Sequence, residues 1–420
     1  MKTMMNSSIE IKTPAKLDLI KIRQDFPILD SSINGKKLIY LDNAATTHKP
    51  LCTINRMRDF MLNENGTVRR GLYSLSINST KAFDEARERV AKFINAKSSS
   101  EIVFTRGSTE SINLVAYSFS SAFIEAGDSI LISGLEHHAN IVPWQLQAEK
   151  IGAKILVIPV LENGELDQEA FTKLIKTPRL KILALTHISN SIGTINPIKE
   201  MIKSAHAEGV KVLIDGAQSA GHFKVDMQDL DADFFVFSGH KIFGPTGVGV
   251  LYGKYDLLKI MPPYQGGGEM IEKVTFEKTT FTTPPHRFEA GTPAITEVIG
   301  LASSINYLEN IGLDLIADYE NELLNYATAR IKEFKNINII GDAKDKASLI
   351  SFTSDLAEAF DIGTLINEYG VAIRVGHHCA QPVMQRFGVS STARASFAFY
   401  NTKEDIDSFF TALEKVLAIF

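Results

Sequence analysis

Cysteine is scarce in this sequence, which has two cysteines, Cys52 and Cys379, in 420 residues. Two cysteines this far apart do not form a disulfide framework, and their scarcity is typical of a reducing compartment. Residues 1–16 are polar and lack the apolar segment of a secretory signal. We therefore expect a cytoplasmic protein.

Long apolar runs and long runs of like charge are absent as well. No apolar stretch approaches the ~20 residues that a membrane-spanning helix needs, so we expect no membrane span. Lysine and arginine number 44 against 49 aspartate and glutamate, a net charge of −5. This balance indicates neither a nucleic-acid partner nor binding to an anionic membrane surface. The hydrophobic content of 45% is that of an ordinary globular enzyme.

Seven short apolar runs alternate with longer amphipathic stretches. They cover residues 101–107, 128–134, 153–160, 180–189, 210–217, 233–239 and 247–253. Runs that are apolar over their whole length suit strands buried on both faces. The alternation therefore predicts an α/β fold with a mainly parallel seven-stranded sheet. Only a turn separates the last two runs, which predicts one antiparallel strand at the edge.

The pattern divides the chain into three parts. We expect a tail and short helix in 1–35 that pack on the small domain, a large domain in 36–295, and a smaller C-terminal α+β domain in 296–420. Helix-rich sequence opens the last part, and strand candidates follow at 348–353 and 371–375.

Polar residues follow several predicted strands, and ligands of open α/β sheets bind beyond the carboxyl ends of strands. Ser108 and Thr109 open a helix, where they could cap it or hold a phosphate. Asp215 could cap a helix or pair with a protonated ring nitrogen. Lys241 is either solvated or an amine that partial burial activates for imine formation.

Three further stretches hold candidates. The histidines of EHHAN (136–140) offer aromatic faces to a flat cofactor, or they are metal ligands or ordinary loop histidines. Arg394 lies in an uncharged stretch and needs an anion, either a structural carboxylate or that of a substrate. Cys379, in RVGHHCAQP, could be a metal ligand, a nucleophile or a buried filler. No His/Cys set has metal-ligand spacing, so we predict no metal site. Cys52 is interpreted as a small apolar residue of a helix.

One cofactor accounts for these candidates together. Pyridoxal 5′-phosphate (PLP) needs a lysine for an imine, an acid opposite its ring nitrogen, a stacked ring, and hydroxyl groups at a helix start for its phosphate. The sequence supplies each of these at a strand end, and we therefore predict a PLP enzyme.

Nine stretches resemble the cysteine desulfurases, nearly end to end and in family order. They are YLDNAATT (40–47), FTRGSTESINLVA (104–116), EHHANIVPWQ (136–145), HISNSIGTINP (187–197), IDGAQSAGH (214–222), FSGHKIFGPTGVGVLYG (237–253), FEAGTP (288–293), RVGHHCAQP (374–382) and RASFAFYNT (394–402). The short R-x-G-H-H-C loop is similar to the second group of these enzymes, which belongs to the SUF system. The resemblance implies fold type I of the PLP-dependent transferases, the class-V aminotransferase family and a homodimer.

The resemblance also implies roles for individual residues. The implied catalytic residues are Cys379, Lys241 and His137. The implied cofactor ligands are Lys241, Asp215, His137, Gln218, Asn190, Thr109, Ser108, Ser238, His240 and Thr292, the last of which would be lent across the dimer interface. The implied substrate ligands are Arg394, Asn190 and Arg374.

The implied reaction converts L-cysteine to L-alanine and leaves a persulfide on Cys379. Its sulfur would pass to an acceptor protein of the SUF system for iron–sulfur cluster assembly. Gly376 suggests a loop that swings between cofactor and acceptor. In TVRRGLYSL (67–75), Arg69 and Tyr73 stand where many family members have histidine, so substrate entry or acceptor docking could differ. Ser108 replaces the more usual threonine and keeps a hydroxyl.

Three alternatives remain open. The first is a selenocysteine lyase acting on L-selenocysteine, for which Cys379 could be dispensable. The second is a sulfur-relay component whose main role is to bind a partner. The third, a class-V aminotransferase with another substrate, gives the thiol no role. The sequence also leaves open whether His377 or His378 stabilises the Cys379 thiolate.

Overall fold

In the computed structural model, which describes residues 17–420, a seven-stranded sheet forms the centre of the fold. In chain order the strands are β1 (Ser32–Ile33), β2 (Lys36–Lys37), β3 (Ile39–Tyr40), β4 (Ile102–Thr105), β5 (Ser129–Ser133), β6 (Lys154–Ile158), β7 (Leu180–Thr186), β8 (Lys211–Asp215), β9 (Phe234–Ser238), β10 (Gly249–Gly253), β11 (Ile271–Val274), β12 (Thr279–Phe281), β13 (Ile337–Ile339), β14 (Leu349–Ser354), β15 (Val371–Ala372), β16 (Arg374–Gly376) and β17 (Thr392–Ser396). The α-helices are α1 (Leu19–Gln24), α2 (Leu51–Asn63), α3 (Ser74–Phe93), α4 (Ser108–Phe123), α5 (Val142–Ile151), α6 (Gln168–Leu174), α7 (Ile198–Ala207), α8 (Met227–Leu230), α9 (Tyr255–Ile260), α10 (Ile295–Ile311), α11 (Leu313–Ile331), α12 (Ala359–Asn367), α13 (Gln381–Arg386) and α14 (Lys403–Leu417).

The strand order of the central sheet is β4-β10-β9-β8-β7-β5-β6. The seven predicted runs are these seven strands, so the predicted sheet is confirmed. The antiparallel strand is β10, but its predicted place at the edge is wrong, because β4 pairs with its outer side. Two glycines permit this pairing: a Cβ atom on Gly249 would collide with the backbone of Gly107.

Both faces of the central sheet are buried. In β7, Ile182 packs into the layer formed by α4, α5 and α9, while Leu183 packs into the layer formed by α3, α7 and α10. Successive side chains of a strand point to opposite faces, and both faces here meet helices. This explains why the strands are apolar over their whole length.

The C-terminal part has its own sheet, in the order β13-β14-β17-β16, and its own apolar core with α11, α12 and α14. The two predicted strand candidates correspond to β14 and to β15 with β16, whereas β13 and β17 were not predicted. Strand β15 pairs with β3, in which Tyr40 is the first residue of the YLDNAATT stretch. This stretch therefore begins beside the C-terminal part of the chain. The division at residues 35 and 295 stays a prediction.

The amino-terminal tail lies outside the described residues up to residue 16. The helix α1 that follows contacts the C-terminal part: the Arg23 guanidinium donates to the Tyr400 carbonyl at 2.7 Å and to the Asp405 carboxylate at 2.9 Å. Within residues 17–420, the structure has no helix with both the length and the apolar character required to cross a membrane.

Candidate active site

A cavity of about 200 Å³ opens at the carboxyl edge of the central sheet. The loops after β4, β5, β7, β8 and β9 meet there, because the carboxyl ends of parallel strands share one edge. All the predicted site residues except Thr292 line this cavity. Its lining residues are Ala44, Ala45, Ser108, Thr109, His137, Thr186, Ile188, Asn190, Asp215, Ala217, Gln218, Ser238, His240, Lys241, Arg374, His378, Cys379 and Arg394.

The first turn of α4 and the end of β9 form one end of the cavity. The Ser108 N–H donates to the Ser238 hydroxyl at 2.8 Å, and the two hydroxyl oxygens are 2.9 Å apart. Thr109 follows in the same turn, and His240 faces it with a ring that is neutral, because burial lowers the pKa of His240 to about 4. Free N–H groups and the helix dipole favour an anion at such a helix start. This end therefore fits a phosphate.

Asp215, at the end of β8, is 5% exposed. Its carboxylate accepts a hydrogen bond from the Ala217 N–H at 3.0 Å, and burial raises the pKa of Asp215. In the part of the chain that the structure describes, no basic side chain forms an ion pair with this carboxylate. A buried carboxylate needs a positive partner, and a protonated pyridine nitrogen in the cavity would supply one.

Lys241 ends the short 3₁₀ turn that follows β9, so the strand delivers its amine into the cavity. Burial lowers the pKa of Lys241 to about 8; Asp215 opposes this shift, and Arg394 and Arg374 add to it. A larger fraction of this amine than of an ordinary lysine is therefore uncharged near neutral pH, and the uncharged form is the one that imine formation and proton abstraction require.

His137 presents a neutral ring to the cavity. Its Nδ1 accepts a hydrogen bond from the Ala139 N–H at 3.0 Å, and burial lowers the pKa of His137 to about 4. The preceding Glu136 is fully buried and ties this segment to the sheet, since it accepts from the Thr186 N–H at 2.9 Å and the Asn140 side chain at 2.7 Å. The ring therefore has a fixed place for stacking.

Two amide side chains complete the wall. The Gln218 amide donates to the Ala44 carbonyl at 2.7 Å, and the Asn190 amide donates to the His378 carbonyl at 2.6 Å. Asn190 thereby joins the loop after β7 to the loop that carries Cys379.

Two arginines lie opposite each other on neighbouring strands, Arg374 on β16 and Arg394 on β17. The Arg394 guanidinium is 1% exposed and donates to the Asn190 carbonyl at 2.6 Å and the Asp42 carboxylate at 3.0 Å. Arg374 Nη1 lies 3.9 Å from the same carboxylate. Two guanidinium groups facing one carboxylate leave a net positive charge, which suits an anionic ligand.

Cys379 is partly exposed in the loop after β16. Both His378 and Cys379 have positive φ angles, of 53° and 55°, in the left-handed region that non-glycine residues rarely adopt. The His378 ring Nε2 lies 2.8 Å from the Thr392 hydroxyl, and burial lowers the pKa of His378 to about 3. The exposed His377 accepts the backbone N–H of Cys379 on Nδ1 at 3.2 Å. His377 thus contacts the Cys379 backbone.

Comparison with known proteins shows the family of this chain. The model of the class-V aminotransferases matches residues 39–409. The chain belongs to the class-V aminotransferase family. It is 48% identical, over 95% of its length, to a probable cysteine desulfurase of Mycolicibacterium paratuberculosis, of which it spans 58%. It is 47% identical, over 94% of its length, to a cysteine desulfurase of Dickeya dadantii, of which it spans 96%.

The fold is likewise similar to a solved member of the family. The crystal structure of the cysteine desulfurase CsdA from Escherichia coli, in an S-sulfonic acid form, matches with a TM-score of 0.90 and 38% identity, over 97% of this chain and 100% of that one. The predicted fold type I of the PLP-dependent transferases is confirmed.

Thr292 lies elsewhere in the structure. It lines a second cavity of about 250 Å³, beside Glu289 and the first turn of α10. Arg69 is also absent from the main cavity: its guanidinium lies 3.4 Å from the Glu289 carboxylate, which a bidentate pair with Arg87 holds at 2.7 and 2.8 Å. In this chain the residue that replaces the family histidine is therefore part of a buried ion cluster.

Two residues that contact the site were given no role from the sequence. Asp42 directs Arg394, and His138 contacts the Cys379 loop. Both lie in stretches quoted for the family resemblance, YLDNAATT and EHHAN, which was the available signal. Among residues 17–420, no group of three or more His, Cys, Asp or Glu side chains is arranged to hold a metal ion.

Proposed function

We propose that the chain is a PLP-dependent cysteine desulfurase that converts L-cysteine to L-alanine and leaves the sulfur as a persulfide on Cys379. The observation that carries the proposal is that Lys241, Asp215 and Cys379 line one cavity. The activity named for its relatives supports it, and those names do not favour the selenocysteine lyase alternative.

The residues of the cavity fit PLP. Lys241 would hold it covalently, and Asp215 would pair with its ring nitrogen. The other proposed ligands are His137 against the ring, Gln218 and Asn190 near the ring hydroxyl, and Ser108, Thr109, Ser238 and His240 at the phosphate. When bound, PLP withdraws electrons from the substrate α-carbon and so weakens the bonds that must break there and at the β-carbon.

The arginines orient the substrate. Arg394 and Arg374 would bind the L-cysteine carboxylate, since a guanidinium pairs with a carboxylate in bidentate geometry. Asn190, which already accepts from Arg394 through its carbonyl at 2.6 Å, lies beside the same position. A substrate held there presents its α-carbon to Lys241.

Two side chains then carry out the chemistry. The Lys241 amine takes the α-proton and returns a proton later. The Cys379 thiolate attacks the substrate sulfur: the new S–S bond forms as the Cβ–S bond breaks, and the β-carbon takes up a proton to give alanine. The exposed His377 beside Cys379 would stabilise the thiolate.

The test compares the two cysteines of the chain. Cys379→Ser should lose formation of alanine from L-cysteine in the presence of a thiol reductant, while the matched variant Cys52→Ser should keep the wild-type rate. Alanine formation by Cys379→Ser at the wild-type rate would contradict the persulfide mechanism.

We further propose a homodimer of the SUF group that passes its sulfur to an acceptor protein for iron–sulfur cluster assembly. Thr292, whose cavity lies away from Lys241, would then act in the partner's site. Exposed apolar side chains support a contact with a second copy; they include Leu62, Leu72, Tyr73, Leu75 and Ile77. Sedimentation of the wild type and of Leu72→Asp tests this: a dimer that the variant weakens is expected, and a monomeric wild type would contradict it.

A further inference from the structure

His138 contacts the Cys379 loop at two backbone groups that follow the thiol in the chain. Its backbone N–H donates to the Cys379 carbonyl at 2.7 Å. Its ring Nε2 accepts the Gln381 N–H, the first amide of α13, at 3.1 Å. The ring also lies 5.6 Å from that of His377, measured between centroids. One residue of the loop after β5 thus binds the backbone just before and just after Ala380.

The loop needs such contacts, because its own backbone does not favour this conformation. His378 and Cys379 both have left-handed φ angles, which are unfavourable in a non-glycine residue. Gly376, with a φ of 116°, ends β16 two residues before His378. A loop with this strain leaves its position when the contacts that hold it are lost.

A second contact holds the loop from the other side. The Asn190 amide donates to the His378 carbonyl at 2.6 Å, and Asn190 is assigned to the substrate site. His138 is different: it is not among the residues that line the cavity, and its ring faces the loop. Its contribution to Cys379 can therefore be separated from binding of cofactor or substrate.

We propose that His138 is a positioning residue, whose imidazole holds the Cys379 loop against the site by accepting the Gln381 N–H. The neutral ring, with its proton on Nδ1, is the form that accepts this bond. One consequence rests on the proposed function: the contact with His138 determines the fraction of molecules in which the Cys379 thiol is placed to attack the substrate sulfur. A loop released from His138 would expose the thiol to solvent instead.

The test uses two substitutions of matched shape in the PLP-loaded protein without L-cysteine. His138→Gln keeps a side-chain oxygen at nearly the reach of Nε2, whereas His138→Met has the same length without a strong acceptor. Two rates are measured by mass spectrometry: iodoacetamide alkylation of Cys379, with Cys52 as the internal reference thiol, and hydrogen–deuterium exchange of the peptide covering residues 377–387.

Loss of one hydrogen bond should accelerate both rates in His138→Met by about five- to tenfold, while His138→Gln stays close to the wild type. Cys52 should react at the wild-type rate in both. Equal rates in the two variants, whether at the wild-type level or above it, would overturn the proposal.

Because no substrate is added, this result does not depend on whether the chain desulfurates cysteine. Where it does, His138→Met should also lower kcat for L-cysteine and leave KM unchanged, as expected for a group that acts only through the loop.

Discussion

Lys241 and Cys379 reach the same cavity from two very different segments. Lys241 follows β9, a strand with buried neighbours on both sides, and the register of the sheet determines where its amine lies. Cys379 sits in a partly exposed loop with left-handed backbone, and two hydrogen bonds with His138 and one from Asn190 hold it in place.

The difference follows from what each residue has to do. Under the proposed function, the amine would act on a bound cofactor and need one position, which a packed sheet supplies. The thiol would meet the substrate sulfur and afterwards offer a persulfide to an acceptor, which would require two positions. Under the same proposal, a loop with unfavourable backbone angles that a few hydrogen bonds hold would move more readily than a strand of the sheet. Each prediction below alters one side of this comparison.

The largest effect is expected from removing the sheet-borne amine. Lys241→Ala should lose covalently bound PLP and its visible absorbance, and alanine formation should fall by about 10²- to 10⁴-fold, the usual contribution of a positioned acid–base group. Alkylation of Cys379 should remain at the wild-type rate, since the loop does not depend on the amine. Lys199→Ala, an exposed lysine paired with Asp229, is the control. Normal turnover in Lys241→Ala would refute the assignment.

Arg394 lies on β17, beside the strand that leads to the Cys379 loop, and donates to the Asn190 carbonyl in the loop after β7. Arg394→Lys should raise KM for L-cysteine by about ten- to a hundredfold, because a lysine cannot reproduce the planar pair of donors. Steady-state kinetics measure this, with the exposed Arg58→Lys as the matched control. An unchanged KM would mean that Arg394 has only its structural partners, Asp42 and Asn190.

The pH dependence of cofactor loading tests the environment of Lys241. With a pKa of about 8, about a tenth of the amine is neutral at pH 7, and the neutral form is the one that reacts. The rate of PLP binding to the apoprotein should therefore rise about tenfold above pH 7 and level off beyond about pH 9. A rate that keeps rising past pH 10, as for an ordinary lysine, would contradict the lowered pKa.

The smallest effect is expected at the phosphate end. Ser238→Ala, made in the Lys241→Ala background so that non-covalent affinity is measured, should weaken PLP binding about two- to tenfold, the range for one hydrogen bond. Equilibrium titration measures it, with Ser390→Ala as a surface control. An unchanged affinity would remove the Ser238 hydroxyl from the proposed phosphate site.

The two segments also differ in how well the sequence predicts them. The seven apolar runs predicted the sheet, because a strand buried on both faces is apolar over its whole length. The polar residues that follow those runs predicted which side chains lie beyond the carboxyl ends of the strands. The prediction failed for the place of β10, since pairing between distant strands depends on close packing at Gly107 and Gly249.

The structure around the Cys379 loop was predicted less well. Sequence resemblance pointed to Cys379, but the contacts that hold it come from residues far away in the chain. The role of Asp42 beside Arg394, and that of His138 beside Gln381, depend on pairs separated by more than 200 residues, which no local pattern encodes. Which of His377 and His378 stabilises the Cys379 thiolate stays a question that the sequence alone does not answer, since it depends on where each ring lies in the folded chain.

The central claim is that the thiol of the Cys379 loop receives the substrate sulfur. The direct test is mass spectrometry of the PLP-loaded protein after addition of L-cysteine, without reductant and with alanine measured in parallel. We expect a gain of one sulfur atom on the peptide that contains Cys379 and none on the peptide that contains Cys52. Alanine produced with no sulfur added to Cys379 would contradict the account.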